Sequence, residues 1–182
     1  MRAISLFLVF VGLMFGAAAI QAYNVSTADK LVELFKNATG GTLEKDIELQ
    51  NDLDFSQYHL PLGASSDGTC ISYSGVFEGN GFSIRNLQMD NTNTEVYNHV
   101  GLFCNLRDAT IQNLTIDSSC SFTGNWSGGL SVTATGSLNI LKVTNTAIMN
   151  GQQYVGGLIG YFQNEPNPSF QNKKATIEIR DC

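Results

Sequence analysis

The side chains able to do chemistry are few, and the acids come nearest to a site pattern. Asp52 and Asp54 alternate along one short stretch and would share a face of a strand, where paired carboxylates can bind calcium or divide general acid and base duties. The same alternation against Leu53 and Phe55 is the ordinary mark of a strand with one wet face, and that reading is preferred. Asp90 precedes a polar loop, and Asp108 and Asp117 stand alone in turn-like stretches. His59 and His99 follow Tyr58 and Asn98, with no serine or cysteine motif around either, and read as solvated loop residues. The His-Glu-x-x-His signature of zinc peptidases and the Gly-x-x-x-x-Gly-Lys phosphate loop do not occur in the chain.

Four cysteines complete the reactive set: Cys70, Cys104, Cys120 and Cys182. None forms a Cys-x-x-Cys pair, and only the two histidines could join them around zinc, so neither a metal nor another cofactor is expected. Four cysteines allow three pairings and the sequence does not choose among them. One or two disulfides are expected, with buried free thiols as the alternative. Trp126 lies in the glycine-flanked segment Gly124-Asn-Trp-Ser-Gly128 and, with Tyr154 and Tyr161, could stack on sugar rings. The competing reading has these rings covering an edge of the core. Sequons stand at Asn24, Asn37, Asn113 and Asn125, of which Asn125 is the best placed for a glycan in a eukaryotic host.

The elements that must position these residues begin with a leader. Arg2 precedes a charge-free stretch from Ile4 to Ile20, and small residues follow, with Ala19 and Ala22 the candidate last residues before cleavage. Residues 1–22 are therefore read as a signal peptide, and the alternative is an uncleaved anchor. Downstream no second apolar run could span a bilayer, so no stable membrane span is expected after cleavage. The remainder has the size of one domain. Hydrophobic residues make up 43% of the chain, enough to build a core, while the net charge of −6 and the lack of Lys/Arg clusters argue against nucleic acid as a partner.

Residues 23–41 hold the one convincing helix. Ser26 is its expected N-cap, with Asp29 three residues on, and Ala28, Leu31, Val32, Leu34 and Phe35 form its apolar face. Asn37 and Gly40-Gly41 end it. From Thr42 onward the period changes to two, as Ile47, Leu49, Leu53 and Phe55 alternate with Glu48, Gln50, Asp52 and Asp54. Two motifs then recur. Ile84-Arg-Asn86-Leu87 returns 27 residues later as Ile111-Gln-Asn113-Leu114, then as Leu138-Asn-Ile140-Leu141, and finally as Ile179-Arg-Asp181-Cys182. Between them, glycines at 101, 129 and 157 recur at a step of 28.

A step of this length fits one coil of a solenoid of short strands, each coil burying its inward side chains on its neighbours. The expected fold of residues 42–182 is thus an all-β, right-handed parallel β-helix, covered at its first coil by the amphipathic helix. Asn86 and Asn113 would stack as an inward amide ladder, which would bar a glycan from Asn113. The chain stops on a repeat motif at Cys182, so a partner or further coils are expected at that end.

The segments Gly75-Val-Phe-Glu-Gly-Asn-Gly-Phe-Ser-Ile-Arg-Asn-Leu87, Val100-Gly-Leu-Phe103 and Val155-Gly-Gly-Leu-Ile-Gly160 resemble the repeats of the GLUG-motif family. Cys104 and Ser131 stand where the short motif would close with glycine. The resemblance implies a large secreted or cell-surface β-helix protein of adhesin-like role, without a cofactor, whose partner is a surface protein or glycan. Parallel β-helices also include pectin-degrading enzymes, but their Asp-Asp, Gly-His-Gly and Arg-Ile-Lys segments are missing here. A non-catalytic, adhesin-like module is the first reading and a polysaccharide-binding or polysaccharide-degrading protein the second.

Overall fold

The computed structural model describes residues 21–65, 68–91, 99–163 and 176–182. The leader up to residue 20, including Ala19, lies outside them, as do Asn98 and residues 164–175. The chain is a parallel β-solenoid of about four turns with one short helix, as the repeat predicts. Strand β1 (Tyr23–Val25) leads into α1 (Ala28–Lys36), and β2 (Thr42–Leu43), β3 (Ile47–Leu49) and β4 (Leu53–Asp54) follow. The second turn holds β5 (Ser72–Tyr73), β6 (Val76–Glu78), β7 (Ser83–Arg85), β8 (Gln88–Asp90) and β9 (His99–Val100). The third holds β10 (Phe103–Arg107), β11 (Thr110–Ile116), β12 (Ser121–Thr123) and β13 (Trp126–Gly128). Then come β14 (Ser131–Thr135), β15 (Leu138–Asn145), β16 (Ile148–Asn150) and β17 (Tyr154–Gly156), with β18 (Ile159–Gln163) and β19 (Ile177–Arg180) opening another coil.

Because the coils stack strand on strand, each inward position becomes a row. Ile47, Phe77, Ile111 and Ile140 lie in successive register and are all fully buried. Leu53, Ile84 and Ile116 form a second row, and Leu43, Tyr73, Leu106 and Ala134 a third. Each such aliphatic or aromatic side chain contributes about 1.5–3 kcal/mol by leaving water. The period-two pattern thus places its apolar members inward as expected, Phe55 included. In the last described coil the first row reaches Ile179, opposite Ile140 and 51% exposed.

The helix starts one residue later than Ser26 implies. Thr27 is the N-cap: its backbone is extended (φ −144°), and its hydroxyl accepts the Lys30 N–H at 3.3 Å. Ser26 Oγ instead accepts from Lys30 Nζ, and Asp29 accepts the Tyr58 hydroxyl rather than closing a capping box. Asn37 ends the helix as anticipated, its N–H returning to Glu33 O at 3.0 Å. Ala28, Leu31 and Phe35 are buried, and Phe35 reaches the rings of Tyr73 and Phe103 at 5.9 and 6.0 Å.

The expected asparagine ladder does not form. Register pairs Ile84 with Leu53 and Ile116, and Ile111 with Phe77 and Ile140, so the two Ile-x-Asn-Leu segments belong to different corners. Asn86 (φ 59°) and Asn113 (φ 52°) are left-handed corner residues, a conformation asparagine tolerates better than most. Asn86 is exposed and donates to Asp54 Oδ1 at 3.2 Å. Asn113 is half-buried and donates to both Glu78 carboxylate oxygens at 3.0 Å. Asn113 therefore does not point inward, and burial does not bar a glycan from it.

Candidate functional site

One flank of the solenoid carries a row of aromatic rings. The short strands β9, β13 and β17 pair in parallel and set His99 opposite Trp126, and Trp126 opposite Tyr154. Alternation sends Trp126 outward while Ser127 is fully buried, its hydroxyl donating to Asn150 O at 3.2 Å. Ring centroids lie 4.9 Å apart for His99 and Trp126 and 4.6 Å for Trp126 and Tyr154. Tyr161 enters from β18, 5.6 Å from Trp126 and 5.1 Å from Tyr154. The tilted and edge-on arrangements are those that ring quadrupoles favour.

The local chain explains why the rings can gather there. After Trp126 the backbone turns so tightly that a Cβ on Gly128 would stand 2.0 Å from Ser131 O and 2.4 Å from Gly160 N. Only glycine permits that approach, and it draws β14 and β18, with Tyr161, toward the ladder. Trp126 Nε1 donates to Gln153 Oε1 at 3.1 Å, and the Gln153 N–H donates to Asn125 O. Burial lowers the pKa of His99, so its imidazole is neutral in the stack at neutral pH. Trp126 is half-buried between its two strand partners, whereas Tyr154 is 43% exposed. The flank presents tilted rings, of which Tyr154 is the most open to solvent.

Sequence reasoning singles out Trp126, Tyr154 and Tyr161 but takes His99 for a loop residue. A partial signal was present: His99, Trp126 and Tyr154 follow one another at steps of 27 and 28, close to one coil. His59 lies apart, with Nδ1 3.1 Å from Gln88 O, which requires that nitrogen to carry the proton.

The acids are spent on turns. Asp52 accepts the Ser83 N–H and pairs with Arg85 at 2.8 Å. Asp54 accepts the Ser56 N–H at 2.9 Å, the main cause of its lowered pKa, and the Asn86 amide lowers it further. Asp117 is lowered chiefly by the Ser119 N–H, and Asp108 accepts the Ser137 N–H. Asp52 and Asp54 thus share a face, as expected, but hold different partners. Among the described residues, no group of three or more His, Cys, Asp or Glu could hold a metal ion.

Cys70 and Cys104 form a disulfide across 34 residues, with Cα atoms 5.9 Å apart. Cys120 is a buried free thiol and Cys182 an exposed one. Of the sequons, Asn24 is exposed on β1 with Oδ1 accepting from Gln50, Asn37 is exposed at the helix end, and Asn125 is half-buried beside Trp126.

The fold defines a parallel β-solenoid, with a row of aromatic rings along one flank. A stretch of 96 residues, 52% of the chain, is 36% identical to Halomucin of Haloquadratum walsbyi. That stretch spans about 1% of Halomucin's own length. No family model matches the chain, and no solved structure matches it.

Proposed function

We propose that the mature chain is a secreted or cell-surface, non-catalytic β-helix module with an adhesin-like role, and that it makes contact through the His99–Trp126–Tyr154–Tyr161 flank. The observation that carries this reading is the ladder itself: four rings lie within 4.6–5.6 Å of a neighbour on an outward face, Tyr154 open to solvent. Rigid aromatic rings provide contact area at low entropic cost, which is why they dominate recognition surfaces. The intramolecular disulfide fits an oxidising compartment, as does the leader read over residues 1–22. No helix among the described residues is long and apolar enough to cross a membrane. The similarity to a stretch of the far longer Halomucin supports a module of a longer chain, as does the likeness to GLUG repeats.

A polysaccharide is the contact favoured by an aromatic row that has Tyr154 open to solvent and Trp126 partly accessible beside it. Residues 23–182 are titrated calorimetrically against a panel of polysaccharides and assayed in parallel for release of reducing ends. The expected result is saturable binding to at least one polymer without release, weakened roughly tenfold or more by Trp126→Ala and by Tyr154→Ala. Release of reducing ends would instead establish a polysaccharide-degrading enzyme, and binding unchanged in both variants would take the ladder out of the account.

A further inference from the structure

A second feature lies at the opposite end of the solenoid. Later coils close one corner with the stacked strands β8, β12 and β16, and the next with β9, β13 and β17. Before β8, helix α1 and the chain from Gln57 to Ile71 occupy that side among the described residues. Between them remains a cavity of about 570 Å³. Val32 and Phe35 form its helical wall, and Leu60, Leu62 and Ile71 the facing one.

The facing wall is held in place rather than draped. Leu62 exchanges backbone hydrogen bonds with the start of β10 and the residue before it, donating to Leu102 O at 2.7 Å and accepting from the Cys104 N–H at 2.9 Å. The Ile71 N–H reaches Gly63 O at 2.8 Å, and Ala64 bridges Cys70. The Cys70–Cys104 disulfide pins this wall to β10. A pocket of this size, apolar and pre-formed, has the general properties of a small-molecule site.

Its described lining differs in charge from the chain as a whole. The chain has sixteen acids against ten bases, yet no carboxylate is among the described residues lining this cavity. Lys36, at the C-terminal end of α1, is on the rim and makes no ion pair or hydrogen bond among the described residues. The nearby Tyr58 hydroxyl is committed to Asp29. We propose that the pocket binds an anionic amphiphile, its hydrocarbon body between α1 and the Leu60–Leu62 wall and its carboxylate or sulfonate on the Lys36 ammonium. An anion gains there from Lys36, while a cation finds no counter-charge among the described lining residues and would meet the Lys36 charge. This site is distinct from the aromatic flank.

The test uses laurate below its micellar concentration, measured calorimetrically on residues 23–182, with dodecyltrimethylammonium as the cationic counterpart. Laurate should bind saturably at one site, and the ammonium surfactant at least tenfold more weakly. Lys36→Gln, at an exposed position, should weaken laurate by roughly three- to fivefold, the range of a solvent-accessible ion pair. Val32→Trp, which fills the cavity, should abolish binding while the far-ultraviolet dichroism and the urea midpoint remain native. Should that variant fail to fold, Leu60→Ser on the partly exposed wall serves in its place and should weaken laurate several-fold. Absence of saturable laurate binding, equal affinity for the two surfactants, or unaltered laurate affinity in a folded wall variant would each overturn the proposal.

Discussion

Severing the Cys70–Cys104 bridge should remove a large share of the protein's stability, and the size of the loss follows from the chain it closes. The cross-link spans 34 residues, so in the chain-entropy treatment it removes about 12.6 cal/mol/K from the unfolded ensemble, or about 3.8 kcal/mol at 25 °C. The suitable perturbation is Cys70→Ser with Cys104→Ala, because Cys70 is exposed and tolerates a hydroxyl, whereas Cys104 is 4% exposed and does not. Urea unfolding followed by far-ultraviolet dichroism should show a loss of about 3–4 kcal/mol, a large fraction of the 5–15 kcal/mol typical of a domain. Reduced wild-type protein should lose the same amount, which separates the cross-link from the side-chain changes. Solenoid coils feel mainly their neighbours, so hydrogen exchange should accelerate around Leu62–Tyr73 before it does in β13 and β17. A loss below about 1 kcal/mol, or acceleration spread evenly over all coils, would refute the claim that the bridge restrains the early coils through loop entropy.

Three further outcomes follow from particular contacts. Gly128→Ala drives a Cβ against backbone atoms at 2.0 and 2.4 Å and should cost about 2–3 kcal/mol, whereas Gly157→Ala, with nothing within 4 Å, should cost under about 1 kcal/mol; paired thermal melts decide this. Burial pushes the Tyr73 phenol well above its ordinary value of about 10, so the folded state retains a proton that the unfolded state releases. The stability this represents is complete below about pH 10 and declines as pH rises further; an alkaline spectrophotometric titration should find Tyr73 silent until the fold opens. In native protein a thiol reagent should modify Cys182 rapidly and Cys120 only on unfolding, because Cys120 is 1% exposed and burial is the first cause of its raised pKa.

Much of the architecture was readable because it rests on local rules. The alternation of Ile47, Leu49, Leu53 and Phe55 carries its own burial, and all four sit at 0–1% exposure. The repeat was enough to indicate stacked coils, but one of its two motifs misled. Ile84-Arg-Asn86-Leu87 and Ile111-Gln-Asn113-Leu114 look like copies because they solve the same local problem: an apolar residue, a left-handed asparagine and a leucine that turns inward. A solenoid has several such corners per coil, and identical corner chemistry does not reveal which corner is meant. The glycine motif kept its step because two of its members are demanded by the adjacent coil: a Cβ would stand 2.4 Å from Gly128 O at Gly101 and 2.5 Å from Gly157 O at Gly129, while Gly157 itself has nothing within 4 Å. A residue specified by its neighbour in the next coil reports the period; a residue specified by its own dihedral angles does not.

The same distinction explains which parts of the candidate sites could be read. Trp126 was visible alone because tryptophan is rare and its glycine-flanked segment is conspicuous, but the ladder is a property of register, and His99 joins it only once β9 is set against β13. The cavity under α1 was not visible at all. It arises where the helix and the described residues between Gln57 and Ile71 stand in for strands of the kind that β8, β12 and β16 supply in later coils, and its walls come from stretches with no common periodicity. The pairing of Cys70 with Cys104 escaped for the same reason, since it depends on which coil lies against β10. Inward rows carry the stability of this fold, and each extra coil repeats them; outward positions are free of that demand and accumulate chemistry where register happens to align them. Binding in such a chain should therefore respond to substitutions one coil away from the contacting ring, such as His99→Ala against Trp126, as strongly as to neighbours along the strand.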